Sequence, residues 1–406
     1  MILKNIEIIN FRNYSHLNIN FDEKINIFYG NNAQGKTNLL EAIYFLGITK
    51  SHRTSIDIEL LKEKTGFFRI SGTIKTNYDY NLQINYEKNK KKCFIDGNKQ
   101  SKIEDYVGKM KVIMFCPEDL NLIKGLPIER RSYLDIQIEQ FSLIGTKYFK
   151  VLNEFNNILK KRNLMLKNAA SGLVIDDMYF EVLTQFLINK MIYIYKSRKK
   201  YVERLNDFID DIYFKLTGYK GLKIIYKTDI SLNNELEDSL KIEFKNNKNK
   251  ELILGNTLIG PQKDDILFIL DSKELKKYGS QGQQRMAVIA LKMASIEILH
   301  KYDKVTPILL LDDVFSELDY DKRNSLFEYI YDNVQTFITT TDLNNLNEKL
   351  IKLAKIFNVE NGNIVTKGEV IDDGKWTTLW SFWYSSSWRI RSSKKKAWHV
   401  YWYNWC

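Results

Sequence analysis

Residues 30–37 restrict the fold of this chain more than any other stretch of its sequence. They are Gly-Asn-Asn-Ala-Gln-Gly-Lys-Thr and match the P-loop pattern G-x-x-x-x-G-K-[ST]. Residues 24–29 alternate as a strand does, and residues 38–46 carry apolar side chains at helical spacing. A strand, a glycine loop and a helix in this order predict an α/β fold with a nucleotide site. The alternative is a Gly/Asn turn that matches the pattern by chance.

The predicted loop has the chemistry for binding a triphosphate. Its glycines let successive backbone N–H groups point inward, and the N-terminus of the following helix adds positive potential for anionic phosphates. We expect Lys36 to contact the β- and γ-phosphates of ATP and the Thr37 hydroxyl to bind Mg²⁺. The predicted nucleotide-binding residues are Gly30, Asn31, Asn32, Ala33, Gln34, Gly35, Lys36, Thr37 and Asn38.

A second candidate element follows near residue 310. An apolar strand at residues 308–311 ends in Asp312 and Asp313, which is the Walker B pattern. Strand burial places the two carboxylates at the sheet edge where α/β proteins bind ligands. Asp312 is predicted to hold Mg²⁺ and Asp313 to position and polarise the attacking water. Together with Lys36 they form the predicted catalytic set.

A glycine-rich segment at residues 279–285 opens a predicted helix between these two elements. Ser280 is a plausible N-cap, and the helix start offers N–H groups and a hydroxyl to a phosphate. A Ser-capped helix without any ligand is the competing interpretation.

The order of these elements resembles the ABC-type ATPase heads. A P-loop, a Ser-x-Gly-Gln helix start, a Walker B strand with a second acid and then residues 316–319, Ser-Glu-Leu-Asp, occur in that sequence. The resemblance implies an ATP-dependent homodimer in which Ser280, Gly282 and Gln283 face the nucleotide of the opposite subunit. It also implies an inserted helical lobe. Residues 339–342, Thr-Thr-Thr-Asp, stand where the family has its switch segment, usually with a His.

Within that group the chain resembles the RecF family of bacterial recombination mediators over residues 1 to about 365. The motifs that carry this likeness are residues 10–14, 30–38, 115–120, 130–135, 260–265 and 280–285. In the motif at residues 260–265, Gln262 and Lys263 depart from the usual His and Arg. The resemblance implies ATP-dependent binding to gapped duplex or junction DNA, RecA loading with RecO and RecR, and slow ATP hydrolysis.

Composition agrees with a protein of two domains whose basic charge suits a polyanion partner, or else forms a solvated surface with no partner. The chain has 406 residues, 27% of them charged, and a net charge of +11. No run of about 20 apolar residues predicts a membrane span. Cys93, Cys116 and Cys406 lack metal-ligand spacing, which favours a reducing cytoplasm. We predict an ATPase lobe at residues 1–116, a helical lobe at 117–220 and the rest of the ATPase lobe at 221–366.

Residues 367–406 differ abruptly from the rest. All seven tryptophans lie in this segment, which has neither helical nor strand periodicity. We interpret it as a foreign, out-of-frame tail that is not part of the fold. An aromatic and basic nucleic-acid-binding arm is the alternative.

The pattern also predicts individual elements. Residues 1–30 should hold two strands with residues 10–14 between them, residues 66–115 should be rich in strands, and residues 128–217 should be helical with a break at 168–176. The remaining predictions are a loop at 245–250, a hairpin at 266–272, helices at 281–301, 320–331 and 344–355, a strand at 335–340 and a final turn at Asn361-Gly362.

Several charged residues have two interpretations each. Arg12 could bind ATP or DNA, and Arg53, Arg130 and Arg131 could bind DNA phosphates, but each could equally be a structural or solvated side chain. Glu118 could orient water or Mg²⁺, or could simply begin a helix.

Three functions compete: a DNA-bound ATPase clamp, a non-hydrolysing ATP switch that acts as a scaffold, and the ATPase subunit of a transporter. The long helical segment and the basic charge disfavour the transporter. The short carboxylate of Asp313, where the family usually has Glu, keeps the non-hydrolysing switch open.

Overall fold

The structure of the chain is a computed structural model, and it describes residues 1–142, 144–318, 322–324, 326 and 334–365. Its strands are β1 Ile2–Phe11, β2 Tyr14–Asn20, β3 Ile25–Tyr29, β4 Phe67–Lys75, β5 Asp79–Glu87, β6 Lys90–Ile95, β7 Asn98–Lys99, β8 Val112–Phe115, β9 Leu222–Lys227, β10 Asp265–Leu270, β11 Lys273–Glu274, β12 Ile308–Asp312, β13 Thr336–Thr340, β14 Ala354–Glu360 and β15 Asn363–Val365. Its helices are α1 Lys36–Ile48, α2 Asn121–Lys124, α3 Pro127–Glu139, α4 Gly145–Ala170, α5 Asp177–Asn206, α6 Ile209–Thr217, α7 Leu236–Leu254, α8 Leu275–Tyr278, α9 Gln281–Ile298 and α10 Glu348–Leu353.

A mainly parallel sheet of order β15-β14-β3-β13-β12-β8 forms the centre. Strands β14, β3, β13, β12 and β8 are parallel, and only β15 pairs antiparallel. Strands β12 and β13 are buried along their whole length, as expected for a sheet covered on both faces. Because the carboxyl ends of parallel strands share one edge, the residues after β3 and β12 meet although β13 separates the two strands.

Two hydrophobic cores cover the two faces of this sheet. On one face, Phe28, Leu310 and Phe337 pack with α1 and with a second, antiparallel sheet of order β2-β1-β4-β5-β6-β7. On the other face, Ile27 and Leu311 share a core with α3, α5, α6 and α9. The helical segment therefore shares one core with the nucleotide-binding sheet, and α9 contacts both α6 and strand β8 of that sheet.

The N-terminal part contains one strand more than predicted. The predicted strands are present as β1 and β3, but β2 lies between them and pairs with β1. Its burial repeats roughly every third residue, with Tyr14 and Leu17 inside, so the sequence lacks the alternation that signals a strand. The strands predicted within residues 66–115 are confirmed, and a hairpin with Asp96-Gly97 at its turn joins β6 to β7.

The helical segment is confirmed, with its break between α4 and α5. The predicted loop at residues 245–250 is wrong, because α7 runs through it. Leu236, Leu240 and Phe244 are buried at helical spacing, and this packing overrides the poor helix propensity of the Asn-rich run. Because α7 packs against α4 and α5, helical packing continues past residue 220, and the proposed domain boundaries remain predictions.

In the last third of the chain, the predicted strands and hairpins are confirmed and one predicted helix is corrected. Strands β12 and β13 and the hairpins at Asp271-Ser272 and Asn361-Gly362 are present. The helix predicted over 344–355 is only α10, because residues from Ala354 onward pair with β3 as β14. The predicted helix at 320–331 and the tail at 367–406 lie largely or wholly outside the described residues. Among the residues that are described, no helix is long and apolar enough to cross a membrane.

Candidate nucleotide site

The P-loop connects β3 to α1, as predicted. Gly30 has φ 152° and Gly35 has φ 115°, both in a region that favours glycine. A Cβ on Gly30 would lie 2.4 Å from the carbonyl oxygen of Val359, and one on Gly35 would lie 2.5 Å from the Asn13 side chain. Both glycines are therefore required by backbone conformation and by close neighbours.

Two turns that are distant in sequence hold the loop in place. From the β1–β2 turn, Asn13 Nδ2 donates to the carbonyl of Gln34 (3.1 Å) and the Tyr14 hydroxyl donates to that of Gly35 (3.0 Å). From the β14–β15 turn, the Asn361 N–H donates to Gln34 Oε1 (2.7 Å). Both turns are recognisable in the sequence, but no pattern there shows that they hold Gln34 and Gly35.

The Lys36 side chain points back from the start of α1 into the loop. Its Nζ donates to the carbonyl oxygens of Gly30 (2.7 Å) and Asn31 (2.8 Å). Burial lowers the pKa of the Lys36 ammonium, and the nearby carboxylates of Asp313 and Asp312 oppose that shift. The ammonium is thus directed into the loop and faces the Walker B acids.

Thr37 and Asp312 meet across the sheet edge, although 275 positions separate them. Thr37 Oγ1 donates to Asp312 Oδ1 at 2.9 Å, and Thr339 Oγ1 donates to the same oxygen at 2.7 Å. Burial raises the pKa of Asp312, and the nearby charges of Glu118 and Asp313 add to that effect, while the two hydroxyl donors oppose it. A cation at this point would relieve the desolvated carboxylate.

The donors present fit Mg²⁺. A hydroxyl and a carboxylate are hard oxygen ligands, and Mg²⁺ usually takes one or two protein carboxylates and completes its shell with water and phosphate oxygens. Within the described residues there is no group of three or more His, Cys, Asp or Glu that could hold a metal without such additional ligands.

Asp313 follows directly in a left-handed conformation, with φ 52°. Its backbone N–H donates to Thr339 Oγ1 at 3.0 Å, so Thr339 orients both Walker B acids. The sequence placed Thr339 in the switch segment but did not predict that it would bind the Walker B turn. Further along, Thr340 Oγ1 donates to the carbonyl of Asp342 and shapes the turn after β13.

Ser280 caps α9 as predicted. Its Oγ accepts from the Gln283 N–H (3.2 Å), and its own N–H donates to Gln283 Oε1 (2.9 Å). Ser280, Gly282 and Gln283 are all exposed, whereas the following turns of α9 are buried. This helix start is therefore presented to the outside of the chain. Of the segment at 316–319, residues 316–318 are described and Asp319 is not.

The structure gives the candidate arginines carboxylate or backbone partners. Arg130 forms two hydrogen bonds with Asp265, at 2.6 and 2.9 Å, and is 4% exposed. Arg131 donates to the carbonyl of Asp264. Because these contacts bury Arg130 against Asp265, the structural interpretation of Arg130 is favoured over contact with DNA phosphates.

Arg12 and Arg53 lie beside α1. Arg12 contacts the fully buried Glu41 through Nε (2.9 Å) and Nη2 (2.8 Å). Arg53 Nη1 donates to Asn38 Oδ1 (3.1 Å), and Asn38 Nδ2 donates to Asn13 Oδ1 (2.8 Å). Asn38 is thus linked to Asn13 in the β1–β2 turn and to Arg53 in the segment after α1.

In the motif at 260–265, Gln262 Nε2 donates to the Ile259 carbonyl and Lys263 is exposed.

Comparison with known proteins agrees with this geometry. The family model described as "RecF/RecN/SMC N terminal domain" matches residues 2–365. Proteins named "DNA replication and repair protein RecF" from Lactobacillus johnsonii and Bacillus mycoides are each 38% identical over 90% of this chain, covering 100% and 98% of their own lengths.

The chain belongs to the RecF family.

Solved structures support the same assignment. A structure described as the recombination mediator protein RecF-ATP in the RecFOR pathway has a TM-score of 0.83 and 30% identity, and covers 90% of this chain and 98% of its own. An Smc head bound to the C-winged helix domain of ScpA has a TM-score of 0.52 and 14% identity over 90% of this chain and 97% of its own. The second likeness shows the fold alone. The predicted α/β fold of an ABC-type ATPase head is confirmed.

Proposed function

We propose that this chain is an ATP-dependent DNA-repair protein that dimerises around Mg-ATP and acts as a clamp on gapped duplex or single-strand/double-strand junction DNA. The contact between the Thr37 hydroxyl and the Asp312 carboxylate carries the proposal, because it joins the P-loop and Walker B at one point. The names of the related proteins, which concern DNA replication and repair, support the biological role.

Each site residue has a role in this scheme. The N–H groups of residues 30–38 and the Lys36 ammonium bind the phosphates. Thr37 and Asp312 would hold Mg²⁺, which when bound would neutralise phosphate charge. Asp313 orients a water molecule and accepts its proton as the water attacks the γ-phosphate.

The exposed start of α9 completes the site in a homodimer. Ser280, Gly282 and Gln283 face outward and belong to a well-capped helix N-terminus, which suits the phosphates of a nucleotide held by the partner subunit. Two such sites would be formed by one pair of chains. Hydrolysis, slow and stimulated by DNA, would separate them.

The remaining parts of the proposal concern partners. A net charge of +11 suits DNA, whose binding should weaken as salt rises. The related RecF-ATP structure is described within the RecFOR pathway, which supports RecO and RecR as partners and RecA loading as the outcome. The proposed compartment is the cytoplasm, without a membrane partner.

Size measurement with and without Mg-ATP tests the proposal. With Mg-ATP, we expect the native chain to form a dimer, seen as a doubling of the apparent mass. We also expect it to bind gapped duplex DNA with an affinity that falls as the salt concentration increases. Lys36→Ala should bind no ATP and remain a monomer. A native chain that stays monomeric at saturating Mg-ATP would contradict the role of Ser280. A dimer that forms but never turns over ATP, even with gapped DNA, would identify the non-hydrolysing switch instead.

A further inference from the structure

A buried lysine in α9 connects this helix to the 3-10 turn Pro117–Leu120. The Lys292 side chain is 6% exposed and forms an ion pair with Asp119. Its Nζ also donates to the Met114 carbonyl and lies 5.5 Å from the centre of the Phe115 ring. A buried ammonium is unfavourable unless its partners compensate it, so these contacts tie α9 firmly to the end of β8.

Asp119 also shapes the turn itself. The Cys116 N–H donates to Asp119 Oδ2 at 2.7 Å, the same oxygen that pairs with Lys292. One carboxylate oxygen therefore holds the turn and contacts α9. A movement of α9 at Lys292 must either carry the turn with it or break a buried ion pair.

The turn carries a charge that acts on the Mg²⁺ site. Glu118 is exposed, and its charge contributes to the raised pKa of Asp312. Glu118 therefore lies within electrostatic range of Asp312, and displacement of the turn would change the field at that carboxylate.

The packing between α9 and the turn is close. A gap of only about 30 Å³, partly open to solvent, lies between the first half of α9 and the turn. Arg285, Val288 and Ile289 line it from α9, while Pro117 and Val314 lie among the residues opposite. Because this gap holds only about one water molecule, a shift of the first half of α9 would press on the turn and would not be absorbed between them.

We propose that Lys292 is a positioning residue that transmits movement of α9, caused by nucleotide-driven dimerisation at Ser280, to the Pro117–Leu120 turn, which carries Glu118. This inference rests on the proposed function, since it needs Mg-ATP to act at the start of α9.

Cys116 provides a native reporter of the turn. Peptide-resolved alkylation, measured by mass spectrometry, gives the reactivity of Cys116 separately from that of the buried Cys93, which serves as an internal reference. In the native chain, saturating Mg-ATP should change the alkylation rate of Cys116 by about fivefold or more. In Lys292→Met this response should fall below about twofold, while the dissociation constant for Mg-ATP stays within about twofold, because Lys292 does not contact the P-loop.

The chain offers a matched control for the loss of a buried ion pair. Lys111 is equally buried and pairs with Asp303 beyond the far end of α9. Lys111→Met should lower the melting temperature about as much as Lys292→Met does, but should retain the Mg-ATP response of Cys116. A merely structural role for Lys292 would make the two variants alike. If Lys292→Met does not fold, Asp119→Asn replaces it, since Asn keeps an acceptor for the Cys116 N–H but removes the charge.

The outcomes separate the two proposals. A native chain that dimerises with Mg-ATP but shows no change at Cys116 would overturn the coupling, as would a Lys292→Met variant that responds like the native chain. A native chain that neither binds ATP nor dimerises would instead overturn the proposed function.

Discussion

At the scale of single residues, the nature of a side chain and its position in a motif do not determine its partner. Arg12 and Arg130 both lie in motifs of the family, and each directs its guanidinium group at a carboxylate of its own chain, Glu41 and Asp265. Such bidentate pairs are strong and geometrically specific. The acids Asp312 and Asp313 instead face the P-loop, because their strand ends at the binding edge of the sheet.

The role of Asp313 can be tested by removing its charge alone. Asp313→Asn should lower ATP turnover about 100-fold or more, since a general base is lost, and should leave Mg-ATP dimerisation intact. A phosphate-release assay measures the ATP turnover, and a size measurement on the same sample measures the dimerisation. Asp271→Asn is the control, because Asp271 also has a positive φ but lies in the β10–β11 turn. Equal turnover in the two variants would exclude Asp313 as the base.

At the scale of elements, the P-loop depends on turns as much as on its own residues. Gln34 is held by the β14–β15 turn and by Asn13 from the β1–β2 turn. Ser280 and α9 form the opposite case, since the helix caps itself by bonds between Ser280 and Gln283. A motif can thus be recognisable in sequence whether its geometry is local or is imposed by distant segments.

Gly30→Ala tests how strictly the loop is held. The added Cβ would meet the Val359 carbonyl at 2.4 Å at an unfavourable φ, so we expect a loss of about 1–3 kcal/mol in the free energy of unfolding and loss of ATP binding. Denaturant unfolding and nucleotide titration measure these effects. Gly66→Ala is the control, since no atom lies within 4 Å of its added Cβ. Unfolding energies that agree for both variants would disprove the constraint.

At the scale of the whole molecule, the central sheet separates two cores, and polar contacts also link the elements on its two sides. One such contact joins Lys50, which lies just after α1, to Glu139 at the end of α3. Lys50 Nζ donates to Glu139 Oε2 at 3.0 Å. Glu139 is almost completely buried, and desolvation raises its pKa to about 7 although Lys50 opposes the shift. The Glu139 carboxyl should therefore titrate near neutrality.

Glu139 should make stability depend on pH. Because the fold favours the neutral carboxyl, the contribution of Glu139 to the free energy of unfolding is fully present below about pH 4.5. It is lost as the pH rises through about 7. Between pH 4.5 and pH 7, Glu139→Gln should reduce the change in the free energy of unfolding by about 2–3 kcal/mol. Denaturant unfolding from pH 4.5 to 8 measures it, with exposed Glu63→Gln as the control. An unchanged slope in Glu139→Gln would show that Glu139 does not titrate in this range.

The sequence alone determined the nucleotide chemistry, because a P-loop is contiguous and each of its residue types has a local physical reason. It also predicted most strands and helices, since burial imposes their periods. It failed for β2, whose burial lacks alternation, and for α7, where packing on α4 and α5 overrides an Asn-rich run.

Only the tertiary structure decided which distant residues meet. The pairs Thr37 with Asp312, Asn361 with Gln34 and Lys292 with Asp119 depend on the order of strands in the central sheet. That order results from how the two cores pack on its faces, which no local pattern records.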